Sequence, residues 1–130
     1  MIKVAFCSED LQHVDAHFAL SSNIVIYEFL PASFRRVKIK SFRLQTGQES
    51  ETVNERRLAE RIEAIQGCDI LYCSQIGSPA AARLVNHNIF PMQTKENLPI
   101  EEAACRLHRM FQKNPPHWLE NKFRKGGVQS

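Results

Sequence analysis

One histidine and two cysteines are the residues of this chain best suited to bind a metal centre. His17 lies in a polar stretch, residues 8–22, and imidazole is a borderline ligand that transition-metal centres accept. Cys7 and Cys73 each end an apolar run and could supply thiolates, although most buried cysteines are only small core residues. The four cysteines are Cys7, Cys68, Cys73 and Cys105. They include no C-x-x-C pair, so their spacing alone indicates no zinc or iron–sulfur site.

A second candidate is the turn Ile76-Gly77-Ser78, which leads from a short apolar run into a helix. Ser78 is expected to cap that helix, with Pro79 at its first position. The free backbone N–H groups of such a turn stabilise negative charge through the aligned peptide dipoles of the helix. A well-capped helix that packs closely on a sheet would explain the same small residues.

Four apolar runs and three helical patterns must position these residues. The strands are predicted at residues 2–7, 24–29, 35–44 and 70–73, with a short edge strand at 89–92. A capping box of Thr52 and Glu55 predicts a helix after residue 52, and two more helices are predicted after Ser78 and Pro99. In the strand at 35–44, basic and apolar residues alternate, which predicts Val37 and Ile39 on one face and Arg36, Lys38 and Lys40 on the other. A change of phase at Phe42 and Leu44 suggests a bulge or the edge of the sheet.

This order predicts an α/β fold, in which a mixed β-sheet has helices on both faces. Ligands of open α/β sheets gather at the carboxyl ends of parallel strands. We therefore expect the loop at 8–22, the turn at 74–79 and the segment Thr94-Lys95 to converge. The convergence would place His17 beside the turn.

Length and composition indicate one domain, which we place at residues 1–120, followed by a flexible basic tail at 121–130. No run of about 18 apolar residues occurs, so no membrane span is expected. Four cysteines that stay reduced, together with a polar N-terminal stretch, predict a cytoplasmic protein. The net charge of +3 suits an acidic partner or an anionic ligand and does not argue for nucleic acid.

The segments Asp15-Ala16-His17-Phe18 and Ser74-Gln75-Ile76-Gly77-Ser78-Pro79 resemble the family of dinitrogenase iron-molybdenum cofactor biosynthesis proteins. Within that family the chain is similar to the small NifX-type cluster carriers. The resemblance implies a ribonuclease-H-like three-layer arrangement over residues 1–120, with His17 holding the cofactor. It also implies a carrier of an iron–sulfur precursor of the iron–molybdenum cofactor, and we expect this carrier to be a monomer. Its partners would be the cofactor scaffold and the cluster synthase of nitrogenase assembly.

Two other functions remain open from the residues alone. A small cytosolic hydrolase could use Cys7 or Cys73 as nucleophile with His17 as base, although no nucleophile motif is present. A regulatory module could bind nucleic acid through the basic strand that contains Arg35, Arg36, Lys38 and Lys40. The chain lacks the C-x-x-x-C-x-x-C motif that a radical cluster synthase needs.

Overall fold

The computed structural model describes residues 1–43 and 50–118. The elements in chain order are β1 (Ile2–Ser8), β2 (His13–Val14), a 3-10 helix (Phe18–Leu20), β3 (Asn23–Phe29), β4 (Phe34–Ser41), α1 (Glu51–Ala64), β5 (Ile70–Cys73), α2 (Ser78–Asn86), β6 (Phe90–Gln93), β7 (Leu98–Pro99) and α3 (Ile100–Lys113). The predicted tail at 121–130 lies outside the described residues. Within the described residues, no helix is both long and apolar enough to cross a membrane.

The main sheet has five strands in the order β4-β3-β1-β5-β6. β1 pairs antiparallel with β3 and parallel with β5, and β6 continues the parallel half. Side chains of a strand alternate between the two faces of its sheet. Val4 and Phe6 therefore enter the core beneath α3, whereas Ala5 and Cys7 enter the core beneath α1 and α2. The predicted mixed sheet with helices on both faces is confirmed, consistent with a three-layer arrangement.

The helices begin close to the predicted positions, but their caps differ. Ser50 caps α1, and its hydroxyl accepts a hydrogen bond from the backbone N–H of Val53 at 3.1 Å. The predicted Thr52–Glu55 capping box is therefore wrong, because the hydroxyl of Ser50, two residues before Thr52, accepts the hydrogen bond from the first turn of α1. α1 ends just before Gly67, whose φ of +90° is a conformation that glycine adopts without strain.

The bulge of the basic strand lies earlier than predicted. The register between β3 and β4 shifts where Ile26 pairs with Lys38 and Tyr27 pairs with Arg36, which leaves Val37 without a direct partner. A bulge reverses the side-chain phase of a strand. Arg36 therefore lies on the α3 side of the sheet, and Lys38 lies on the α1 side. The predicted alternation, with both residues on one face, is wrong, and Leu44 lies outside the described residues.

A second, two-stranded sheet was not predicted. β2 and β7 pair antiparallel, His13 with Pro99 and Val14 with Leu98. The backbone N–H of Ile100 also donates to the carbonyl of Gln12 at 2.8 Å. Strands of two residues carry too little alternation to be recognised in a sequence. This small sheet attaches the loop after β1 to the start of α3.

Candidate functional site

His17 lies in extended backbone between β2 and the 3-10 helix, with φ −69° and ψ 140°. Its neighbours Ala16 and Phe18 are 2% and 0% exposed and belong to the core beneath α1 and α2. Because successive side chains of extended backbone point to opposite sides, the imidazole of His17 points away from that core. The ring is exposed, and within the described residues it has no hydrogen-bond partner.

Backbone hydrogen bonds join the His17 segment to the turn after β5. The N–H of Ser74 donates to the carbonyl of Ala16 at 3.0 Å, and the N–H of Phe18 donates to the carbonyl of Gln75 at 3.0 Å. His17 and Gln75 form a parallel β-bridge. The structure thus brings the loop and the turn together, as the carboxyl ends of neighbouring parallel strands predict.

The segment after β6 reaches the same turn. The N–H of Thr94 donates to the carbonyl of Cys73 at 3.0 Å, and the side-chain oxygen of Gln93 accepts from the N–H of Ile76 at 3.1 Å. The amide of Ile76, which was predicted to face an anion, is therefore already bonded within the protein. Of the predicted turn residues, Gly77 and Ser78 stay exposed and Ile76 is half-buried.

The start of α2 is open to a ligand. Gly77 is the N-cap and Ser78 is the first helical residue, so the prediction that Ser78 caps the helix is wrong by one position. No side chain caps this end of α2. Gly77 has φ −74°, and an added Cβ would meet only Cδ of Pro79 at 3.8 Å. Neither the backbone nor the packing demands a glycine there, and its missing side chain keeps the positive end of the helix accessible.

A groove of about 890 Å³ runs beside this helix end. Ala19, α1 and the first residues of α2 line it, including Glu51, Glu55 and Gly77. Glu55 bridges the two helices through an ion pair with Arg83 at 2.6 Å. His17 does not line the groove, but Ala19, two residues further along the same loop, does.

Cys7 and Cys73 lie on adjacent strands and are both 0% exposed. Burial raises the pKa of the Cys73 thiol to about 12. Burial and the neighbouring Cys73 together raise the pKa of the Cys7 thiol well above its ordinary value. Both cysteines are thus protonated core residues at neutral pH. They lie in the core beneath α1 and α2, and the imidazole of His17 points away from that core. The structure does not bring these three predicted ligands together.

The other cysteines are separate. Cys68 is buried, with the pKa of its thiol raised to about 11 by desolvation, and Cys105 is exposed on α3. Among the described residues no three His, Cys, Asp or Glu side chains are grouped as a metal site would require. A cargo bound here would therefore have few protein ligands.

Arg61 is a residue of the site that the sequence analysis missed. It is 4% exposed, and its Nε and Nη2 donate to the carbonyl of Ser21 at 3.2 and 2.7 Å. Ser21 in turn donates through its hydroxyl to the carbonyl of Phe18 at 2.9 Å. The guanidinium therefore fixes the 3-10 helix that follows His17. Its position between Leu58 and Ile62, in the apolar stripe of α1, was the available signal.

Comparison with known proteins identifies a family and several relatives. Residues 1–110 match the family described as "Dinitrogenase iron-molybdenum cofactor". The chain is 36% identical to Protein NifX of Herbaspirillum seropedicae over 96% of this chain and 84% of that one. It is 32% identical to Protein NifX of Rhodobacter capsulatus over 91% of this chain and 75% of that one.

A solved structure supports the fold alone. The crystal structure of PH0822 has a TM-score of 0.57 at 16% identity and covers 85% of this chain and 90% of its own. The sequence matches are much stronger and include both the His17 loop and the turn at Gly77. The chain therefore belongs to the dinitrogenase iron-molybdenum cofactor family.

Proposed function

We propose that this protein binds an iron–sulfur precursor of the iron–molybdenum cofactor and carries it during nitrogenase cofactor biosynthesis. A role in the biosynthesis of this cofactor follows from the family, which matches residues 1–110 of the chain. That match is the observation on which the proposal rests. The cargo binds to one domain at residues 1–120, in a cytoplasmic monomer that exchanges it with the cofactor scaffold and the cluster synthase.

The site residues support a weakly liganded, anionic cargo. The exposed imidazole of His17 has a free nitrogen for one metal atom of the cluster. The uncapped start of α2, at Gly77 and Ser78, attracts the negative charge of the cluster. One ligand and an electrostatic contribution suit a carrier, because a carrier must release what it holds.

The buried thiols disfavour the hydrolase alternative. A cysteine nucleophile reacts as its thiolate and needs a base within hydrogen-bond reach. The pKa of Cys73 is raised to about 12, Cys7 is fully buried, and His17 points away from both. We therefore propose a carrier without catalytic activity. The structure also disfavours a regulatory module that binds nucleic acid through the basic strand. The bulge at Val37 places Arg36 and Lys38 on opposite sides of the sheet, so these charges do not form one basic surface.

An anaerobic titration of the purified protein with an isolated cofactor precursor, followed by visible absorption, tests the proposal. We expect His17→Ala to weaken binding by roughly tenfold or more, equal to about 1.4 kcal/mol. The matched control is His87→Ala, because His87 is an exposed histidine at the other end of α2. Equal affinity of both variants would exclude His17 as a ligand. Absence of binding to the wild-type protein would refute the carrier function itself.

A further inference from the structure

A cavity of about 440 Å³, lined by both polar and apolar residues, lies on the α3 side of the sheet, away from the groove between α1 and α2. Its lining includes Tyr27 and Arg36 from the β3–β4 hairpin, His13 from β2 and Glu101 from the first turn of α3. Its volume falls within the range of small-molecule sites. None of these side chains takes part in the proposed carrier function.

Two opposite charges face this cavity without an ionic partner. Within the described residues, neither the guanidinium of Arg36 nor the carboxylate of Glu101 forms an ion pair. The bulge at Val37 places Arg36 on this side, directly opposite Tyr27. A cavity that presents one cation and one anion, neither of them in an ion pair with a described residue, matches a ligand that carries both charges.

The neighbouring polar groups are held in place by the protein. The hydroxyl of Tyr27, which is only 5% exposed, donates to Oε1 of Glu101 at 3.1 Å. Burial, followed by the charge of Glu101, raises the pKa of Tyr27 to about 12, so the hydroxyl remains a donor. Nδ1 of His13 is 2.7 Å from Oδ2 of Asp10, which leaves Nε2 for a ligand.

We propose that this cavity binds a free α-amino acid. The α-carboxylate pairs with Arg36, whose planar guanidinium matches two carboxylate oxygens. The α-ammonium pairs with Glu101, which Tyr27 orients. Leu11 and Pro99 contribute apolar atoms to the same lining and contact the side chain of the ligand, which favours an apolar amino acid.

The test uses the full-length, ¹⁵N-labelled protein without cofactor precursor. Each standard L-amino acid is titrated to millimolar concentration while the backbone amide signals are recorded by NMR. We expect at least one apolar amino acid to shift the amides of Gln12, His13 and Glu101 in a saturable way. The carboxamide of that amino acid, and its analogue without the amino group, isolate the two charges. Each is expected to bind roughly tenfold more weakly or worse.

Matched variants test the residues. Arg36→Gln and Glu101→Gln are each expected to weaken binding by roughly tenfold or more. Lys38→Gln is the control, because it removes a charge from the same strand on the opposite side of the sheet, and it should leave binding unchanged. The proposal is overturned if no amino acid shifts these amides. It is equally overturned if the analogue without the amino group binds as well as the parent, or if Arg36→Gln binds normally.

Discussion

Replacing Arg61 with methionine should loosen the loop that carries His17 without destroying the fold. Met retains most of the apolar stem but removes the guanidinium that donates twice to Ser21. It also removes a donor to the carbonyl of Arg57 at 3.0 Å and a cation that lies 4.4 Å from the centre of the Phe42 ring. Ser21 itself is 0% exposed, so no water readily replaces the lost donors.

The magnitude follows from these contacts. A buried carbonyl left without its donor costs about 1–3 kcal/mol. The cation–π contact of Arg61 with Phe42 adds about 1 kcal/mol. The substitution also removes the desolvation penalty of a buried charge, because the guanidinium has no carboxylate partner among the described residues. This gain offsets part of the lost free energy of unfolding. We therefore expect the free energy of unfolding to fall by about 2 kcal/mol.

Urea unfolding followed by circular dichroism measures this change. The control is Arg56→Met, because Arg56 is an exposed residue of the same helix and should change stability by about 0.5 kcal/mol or less. Hydrogen exchange of the Phe18 and Ser21 amides should accelerate more than exchange of the β1 amides. If Arg61→Met is as stable as Arg56→Met, the desolvation of the guanidinium cancels its hydrogen bonds and our account of the loop is wrong.

Four further results are expected. Gly77→Ala should preserve the thermal melting temperature but weaken binding of the cofactor precursor, because the new Cβ has space yet narrows access to α2. Of the four free thiols, only that of Cys105 should react rapidly with a thiol reagent under native conditions, because the other three are buried. Burial raises the pKa of the Cys68 thiol to about 11, against 9.0 in the unfolded chain. The stability linked to this shift is fully present below pH 9.0 and is lost as the pH rises to about 11, because the thiol of the unfolded chain ionises first. Cys68→Ala should therefore show a smaller decline in the free energy of unfolding, measured in urea, over that range. Replacing Lys38 and Lys40 with glutamate should slow association with an acidic assembly partner at low ionic strength and leave precursor affinity unchanged.

A specific outcome would contradict each of these four predictions. Unchanged precursor affinity of Gly77→Ala would exclude the start of α2 from the site. Rapid reaction of two or more thiols would show that the core beneath the loop opens easily. A pH profile of Cys68→Ala that matches the wild type would assign the alkaline loss to other groups. Equal capture of the partner by the charge-reversed variant would leave β4 as a solvated edge strand.

The sequence predicted the sheet well because its signals are long and local. β1, β3 and β5 are apolar runs bounded by polar loops, and the stripe of α3 repeats with helical spacing. Signals of one or two residues failed: the cap at Ser50, the bulge at Val37 and the paired strands β2 and β7. The bulge and the two-stranded sheet depend on pairing with another strand, which no local pattern records. At α1, two hydroxyls two residues apart, those of Ser50 and Thr52, could each cap the helix, and the sequence does not decide between them.

The neighbourhood of the site was predictable, but its geometry was not. His17 and Gly77 follow neighbouring parallel strands, so their proximity follows from topology. The direction of the His17 side chain depends on the bridge to Gln75. The separation of His17 from Cys7 follows from that same bridge, because Ala16 and Phe18 fill the core and the imidazole faces out.

This separation bears on how the cargo is held. Cys7, Cys73 and Phe18 belong to one core in which each is 0% exposed, so access to the thiols would require that core to open. Exposing one large apolar side chain of such a core costs about 1.5–3 kcal/mol. Binding at His17 requires no such opening, because backbone hydrogen bonds on both sides already fix its segment. A cargo that coordinates the imidazole remains exposed to a partner protein on its free side. In the carrier function that we propose, transfer would then require the replacement of one ligand, whereas a site at the buried thiols would first require the core to open.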